Sequence, residues 1–116
     1  MKDQLKKALE FANYRQTFSI QRKILKEKIA AKLTLGYNGG LFQIDRTLLT
    51  FIEMLLVKGR SSGVVLLDTN ETPIMIEDLV AFQDECFDRY FEATSEYFEQ
   101  DQNLKKSRSV EKLLEQ

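Results

Sequence analysis

Leu33-Thr34-Leu35-Gly36-Tyr37-Asn38-Gly39-Gly40-Leu41-Phe42-Gln43-Ile44 is the stretch that decides the fold. Asn38-Gly39 lies between two apolar, alternating runs. This is the strongest short-range hairpin signal, because both central residues of a type I′ turn need positive φ. The reading is a hairpin over residues 32–44. Moving outward, Asp45 suits the N-cap of a helix over 45–59, with Gly59 at its end. That helix is apolar around much of its circumference (Leu48, Leu49, Phe51, Ile52, Met54, Leu55, Leu56, Val57), so it should be largely covered. After the loop Arg60-Ser61-Ser62-Gly63, a second hairpin over 63–77 runs from Val64 to Leu67, turns at Asp68–Thr72 and returns from Pro73 to Ile76. Pro73 fits a first strand position, where its missing N–H breaks no ladder.

All five glycines and the one proline fall between residues 36 and 73. Outside that window nothing breaks a helix. The chain therefore begins with a helix over 1–31 and ends with one over 78–104 or longer, followed by a basic and apolar extension over 105–116. In the first helix, Leu5, Ala8 and Ala12 form a short row. Phe11, Tyr14, Phe18, Leu25 and Ile29 continue it, flanked by Ile20 and Ile24. The last helix carries two seven-residue series, Leu79, Cys86, Ala93, Gln100 and Tyr90, Tyr97, Leu104. Phe82, Phe87, Phe91 and Phe98 widen the stripe. Heptad spacing with charged flanks predicts a coiled-coil-like seam.

Charge supplies the partner for that seam. Lys2 to Lys32 holds nine cations against three carboxylates, and Glu77 to Asp101 holds nine carboxylates against Arg89 alone. Complementary faces predict that the two rods lie side by side. The expected fold is α+β in a single domain, 1–116. Two long terminal helices pair antiparallel, and the hairpin–helix–hairpin middle forms a small antiparallel sheet.

Little in the chain speaks for chemistry. With no histidine, the usual general base near neutral pH and the commonest metal ligand are missing. Asn38-Gly39-Gly40 lacks the lysine and spacing of a phosphate loop. Asp84, Asp88 and Glu92 share a helix face, yet a hard-cation site wants ligands converging from more than one element. Cys86 has no histidine to activate it. The expectation is a non-enzymatic protein with no catalytic residue, cofactor or metal. A net charge of −1 argues against a dedicated nucleic-acid binder. No apolar run is long enough to span a bilayer, and the first residues lack an apolar signal core, so a cytoplasmic protein without membrane contact is expected.

The order long helix, hairpin, short helix, hairpin, long helix resembles an α-type prefoldin subunit, with Ala31–Ile44 and Gly63–Ile76 as the hairpins and a helix from Leu79. That resemblance implies a sheet-mediated oligomer whose helical arms hold non-native protein. The stretches NGGLFQI (38–44), TPIMIEDL (72–79) and KKSRSVEKLL (105–114) resemble small accessory proteins of contractile-tailed phages, which implies host cytoplasm or a virion. The functional expectation is a protein–protein interaction module, an oligomeric assembly factor or chaperone-like protein. Leu48, Phe51, Ile52 and Leu55 are the candidates for subunit packing, and Val110, Leu113 and Leu114 for docking in a groove. The alternative is a small nucleic-acid-associated regulator whose phosphate contacts are Lys2, Lys6, Lys7, Lys105, Lys106 and Arg108.

Overall fold

A computed structural model describes the backbone of residues 2–114 and the side chains of residues 2–107. The elements are α1 (Lys2–Lys32), β1 (Thr34–Tyr37), β2 (Gly40–Gln43), α2 (Arg46–Val57), β3 (Val64–Leu67), β4 (Pro73–Ile76) and α3 (Leu79–Leu114). This is the α+β order expected, and residues 105–114 continue α3 without a break. The chain divides into two compact units, a central one (Ile29–Ser95) and a helical one (Met1–Lys28 with Glu96–Gln116).

The local signals act as their chemistry requires. Asn38 (φ 50°) and Gly39 (φ 81°) form the turn that pairs β1 with β2, Leu35 opposite Phe42. The Asp45 carboxylate caps α2 by accepting from the Leu48 amide at 2.8 Å. At the other end of α2, Gly59 adopts φ 81°, its amide donates to Leu56 and that of Arg60 to Leu55. This pair of bonds satisfies carbonyls the helix leaves unpaired. Asp78 caps α3 by accepting from the Ala81 amide at 3.1 Å.

The hairpins are antiparallel, but they form two separate two-stranded sheets instead of one sheet. Asp68 is the cause. The Leu41 amide, on the outer edge of β2, donates to Asp68 Oδ2 at 3.0 Å where a neighbouring strand's carbonyl would otherwise accept. The same carboxylate's Oδ1 accepts from the Asn70 and Thr72 amides, both at 2.9 Å. Thr69 N–H to Leu41 O (2.8 Å) and Asn38 Nδ2 to Met75 O (3.0 Å) complete the stitching of one hairpin to the other.

The core of the central unit draws on every element of that unit from β1 onward: Leu35, Phe42 and Ile44, then Leu49 and Ile52, then Leu66, Ile74 and Ile76, then Leu79, Phe82 and Cys86. The Phe82 ring lies 4.8 Å from Tyr37 and 5.1 Å from Phe42, centroid to centroid. Burying an aromatic of this kind contributes about 1.5–3 kcal/mol.

In the helical unit α1 and α3 pair antiparallel. Arg22 meets Asp101 and Lys28 meets Glu96, each at 3.4 Å, so rising numbers on one helix face falling numbers on the other. Asp101 also holds Lys105 at 3.1 Å. The charge complementarity is realised at these places. Asp84, Asp88 and Glu92, by contrast, are exposed. The heptad series is also seen, with Leu79, Cys86 and Ala93 buried and Tyr90, Tyr97 and Leu104 half-buried. Phe91 and Phe98 depart from the expected stripe. Both are exposed, because at 100° per residue they fall well round the helix from the buried series.

Candidate functional site

α2 and α3 of the central unit leave an open apolar groove between them, about 710 Å³ in volume. Leu49, Thr50, Met54 and Val57 line it from α2, and Phe87, Tyr90 and Phe91 from α3, with Arg46 and Glu53 as its charged residues. Sequence spacing explains the walls. On α2, positions 50, 54 and 57 share a face that turns away from the buried Leu49–Ile52 side. On α3, Phe87 and Phe91 are four apart and their rings stack at 6.0 Å. Glu53 is fixed by Gln83, whose Nε2 donates to Oε2 at 2.6 Å across the two helices. Parts of both walls are open to solvent: Val57 is 76 % exposed, Phe91 60 % and Met54 50 %, whereas Phe87 and Tyr90 are half-buried against the core. Asp84 and Asp88 stand one turn before Phe87 and Phe91, respectively, and are exposed as well.

A second apolar surface lies on the outer side of the hairpins. Antiparallel sheets with one solvated face normally alternate apolar and polar residues. Here Val65 and Met75, direct cross-strand partners, are both exposed, and so are Leu67 and Leu41. The strands VVLL and PIMI therefore present apolar side chains on both faces.

No family model, curated protein or solved structure matches the chain. The functional reading therefore rests on the geometry.

The structure distributes the residues singled out in the sequence. Ile52 is fully buried in the core, and Leu48 and Leu55 are partly buried against it. Phe51 is exposed but lies beside Leu48 and Thr69, away from the α2–α3 groove. The side chains of Arg108, Val110, Leu113 and Leu114 lie outside the described residues. Lys2, Lys6, Lys7, Lys105 and Lys106 are exposed, and Lys105 is engaged with Asp101. Among the described residues, no group of three His, Cys, Asp or Glu side chains is arranged to hold a metal ion. None of their helices is long and apolar enough to cross a membrane. Burial pushes the Cys86 thiol up to about 11, with Glu85 adding to the shift and Arg89 opposing it. A thiol held protonated in this way is a poor nucleophile near neutral pH.

The groove itself escaped the sequence reading. Met54, Val57, Phe87 and Phe91 all stood out as apolar, but nothing in their spacing says that α2 packs beside the start of α3 and leaves Met54, Val57 and Phe91 exposed beside a half-buried Phe87. The one available signal was the excess of apolar positions on α2, more than a single buried face can use.

Proposed function

We propose that the protein is a non-enzymatic protein–protein interaction module, working as an oligomeric assembly factor or chaperone-like protein. The observation behind this reading is the α2–α3 groove. An apolar groove in which Val57, Met54 and Phe91 are exposed and Phe87 is half-buried is costly in water and marks a surface suited to being covered. Phe and Met are residues that protein interfaces favour, and flexible methionine suits irregular partners. The apolar outer face of the hairpins (Val65, Leu67, Met75) adds a second surface of the same kind. Prefoldin-like and phage-accessory roles are particular forms of this reading.

The test is an ATP-free aggregation assay on an unfolded client, run beside light scattering coupled to size exclusion. The protein should suppress client aggregation or form a defined oligomer. Phe91→Asp, a change at an exposed position, should reduce whichever is seen while far-UV circular dichroism stays unchanged. A monomer that leaves aggregation unaltered at molar excess would sink the proposal.

A further inference from the structure

We propose that the occupant of the α2–α3 groove is the first half of α1, residues 2–15, from a second copy of this chain. The inference rests on the groove being a docking surface and names what docks there.

The argument is one of complementary shape and charge. On α1, Leu5, Ala8, Leu9 and Ala12 form one row. Leu5 and Leu9 are more than half exposed, so among the described residues nothing covers this row. At 100° per residue, Lys2 and Lys6 fall on one flank of the row and Arg15 on the other, while Asp3 and Glu10 fall on the far side. The segment is thus a cationic amphipathic helix with its acids turned away. The groove is its counterpart: its apolar lining includes Glu53 and Arg46 as charged residues, and the exposed Asp84 and Asp88 precede the lining residues Phe87 and Phe91 by one turn of α3, adding negative charge on that helix. An amphipathic helix laid in an apolar groove is a recurrent recognition mode, and rim charges choose the partner and its direction.

The same polarity appears over the whole chain. Ile29–Ser95 holds ten carboxylates and five cations, whereas the rest holds twelve cations and eight carboxylates. Lengths also agree, since residues 2–15 span roughly 21 Å as a helix and α2 roughly 18 Å. α1 is unbroken from Lys2 to Lys32. A contact between unlike surfaces is head-to-tail, and such contacts propagate into rings or open chains.

The experiment is light scattering with size exclusion on the full chain, at low and raised salt, with two charge-reversal variants. One carries Lys2→Glu and Lys6→Glu on α1. The other carries Asp84→Lys and Asp88→Lys on the groove. Wild-type mass should rise at least twofold above the monomer with concentration at low salt and fall back when salt is raised. Each variant alone should run as a monomer with unchanged far-UV circular dichroism. An equal mixture of the two should regain the wild-type mass, because the reversed helix then meets the reversed groove. A monomeric wild type, or a mixture that does not recover, overturns the proposal. Phe91→Asp separates the two levels. If it weakens client protection or self-association while the charge reversals do nothing, the groove is a docking site with a different occupant. If it changes neither, the docking reading fails as well.

Discussion

Asp68 shows how one side chain can join two hairpins. Its carboxylate accepts from the amides of Leu41, Asn70 and Thr72, which hold it charged and lower its pKa below the ordinary 3.8. A carboxylate whose folded pKa is depressed contributes stability that is fully present above the unfolded value. That contribution is lost as pH falls through the folded one. The thermal midpoint of the wild type should therefore drop as pH falls below about 4, and Asp68→Asn should flatten the drop. An equally steep drop in Asp68→Asn would show that other groups cause it. Gly40 matters for a different reason: a Cβ there would come within 2.6 Å of Ile74 Cγ1, where the hairpins meet. Gly40→Ala should cost about 1–3 kcal/mol of overpacking, read from urea midpoints at unchanged slope. An unaltered midpoint would mean that Ile74 yields at no cost. The turn at Asn38-Gly39 and the cap at Asp45 were legible because each is a local rule satisfied by its own neighbours. The roles of Asp68 and Gly40 were not, since they depend on a contact between hairpins about 30 residues apart in sequence.

The long helices were the most readable elements and also the place where reading stopped short. Scarce glycine and proline fixed their extent, and opposite charge fixed their pairing, now seen at Arg22–Asp101 and Lys28–Glu96. These pairs specify direction more than they stabilise. A double-mutant cycle on Arg22 and Asp101 should give a coupling of about 0.2–1 kcal/mol, and a value several times larger would make the zipper an energetic driver. Apolar residues lie on more than one face of α3, and periodicity alone does not say which face has a partner. Leu79, Cys86 and Ala93 are buried, whereas Phe91 and Phe98 face water. Mutation should separate them cleanly. Phe82→Ala, at a fully buried position, should cost about 3–5 kcal/mol, while Phe91→Ser should stay within about 0.5 kcal/mol in the monomer. Comparable costs for both would place Phe91 in a core rather than on a docking face. The groove was unreadable for the same reason, because it is defined by what leaves Met54 and Val57 uncovered.

At the scale of the molecule, burial is unequal between the units. Among the described residues of the helical unit, Leu25 and Asp101 are buried, whereas the central unit contains the whole hydrophobic cluster from Leu35 to Cys86. Local opening free energy follows buried apolar contact, so each unit should open on its own scale. Hydrogen exchange read by mass spectrometry on dilute wild-type protein tests this. Amides over residues 5–20 should exchange by local fraying, and those from Phe82 to Ala93 only with global unfolding, when the Cys86 thiol should also first react with alkylating reagents. Uniform protection along α1 would contradict the difference in burial. Concentration then links stability to assembly. If residues 2–15 dock on a second copy, their protection should rise with protein concentration and fall with salt, while the amides of Phe82–Ala93 stay as they were. Mass action stabilises whatever is bound in the complex and leaves elements outside the contact at their monomer values. A concentration-dependent gain confined to the outer face of the hairpins, at Val65 and Met75, would instead assign self-association to the sheets and leave the groove open for another protein.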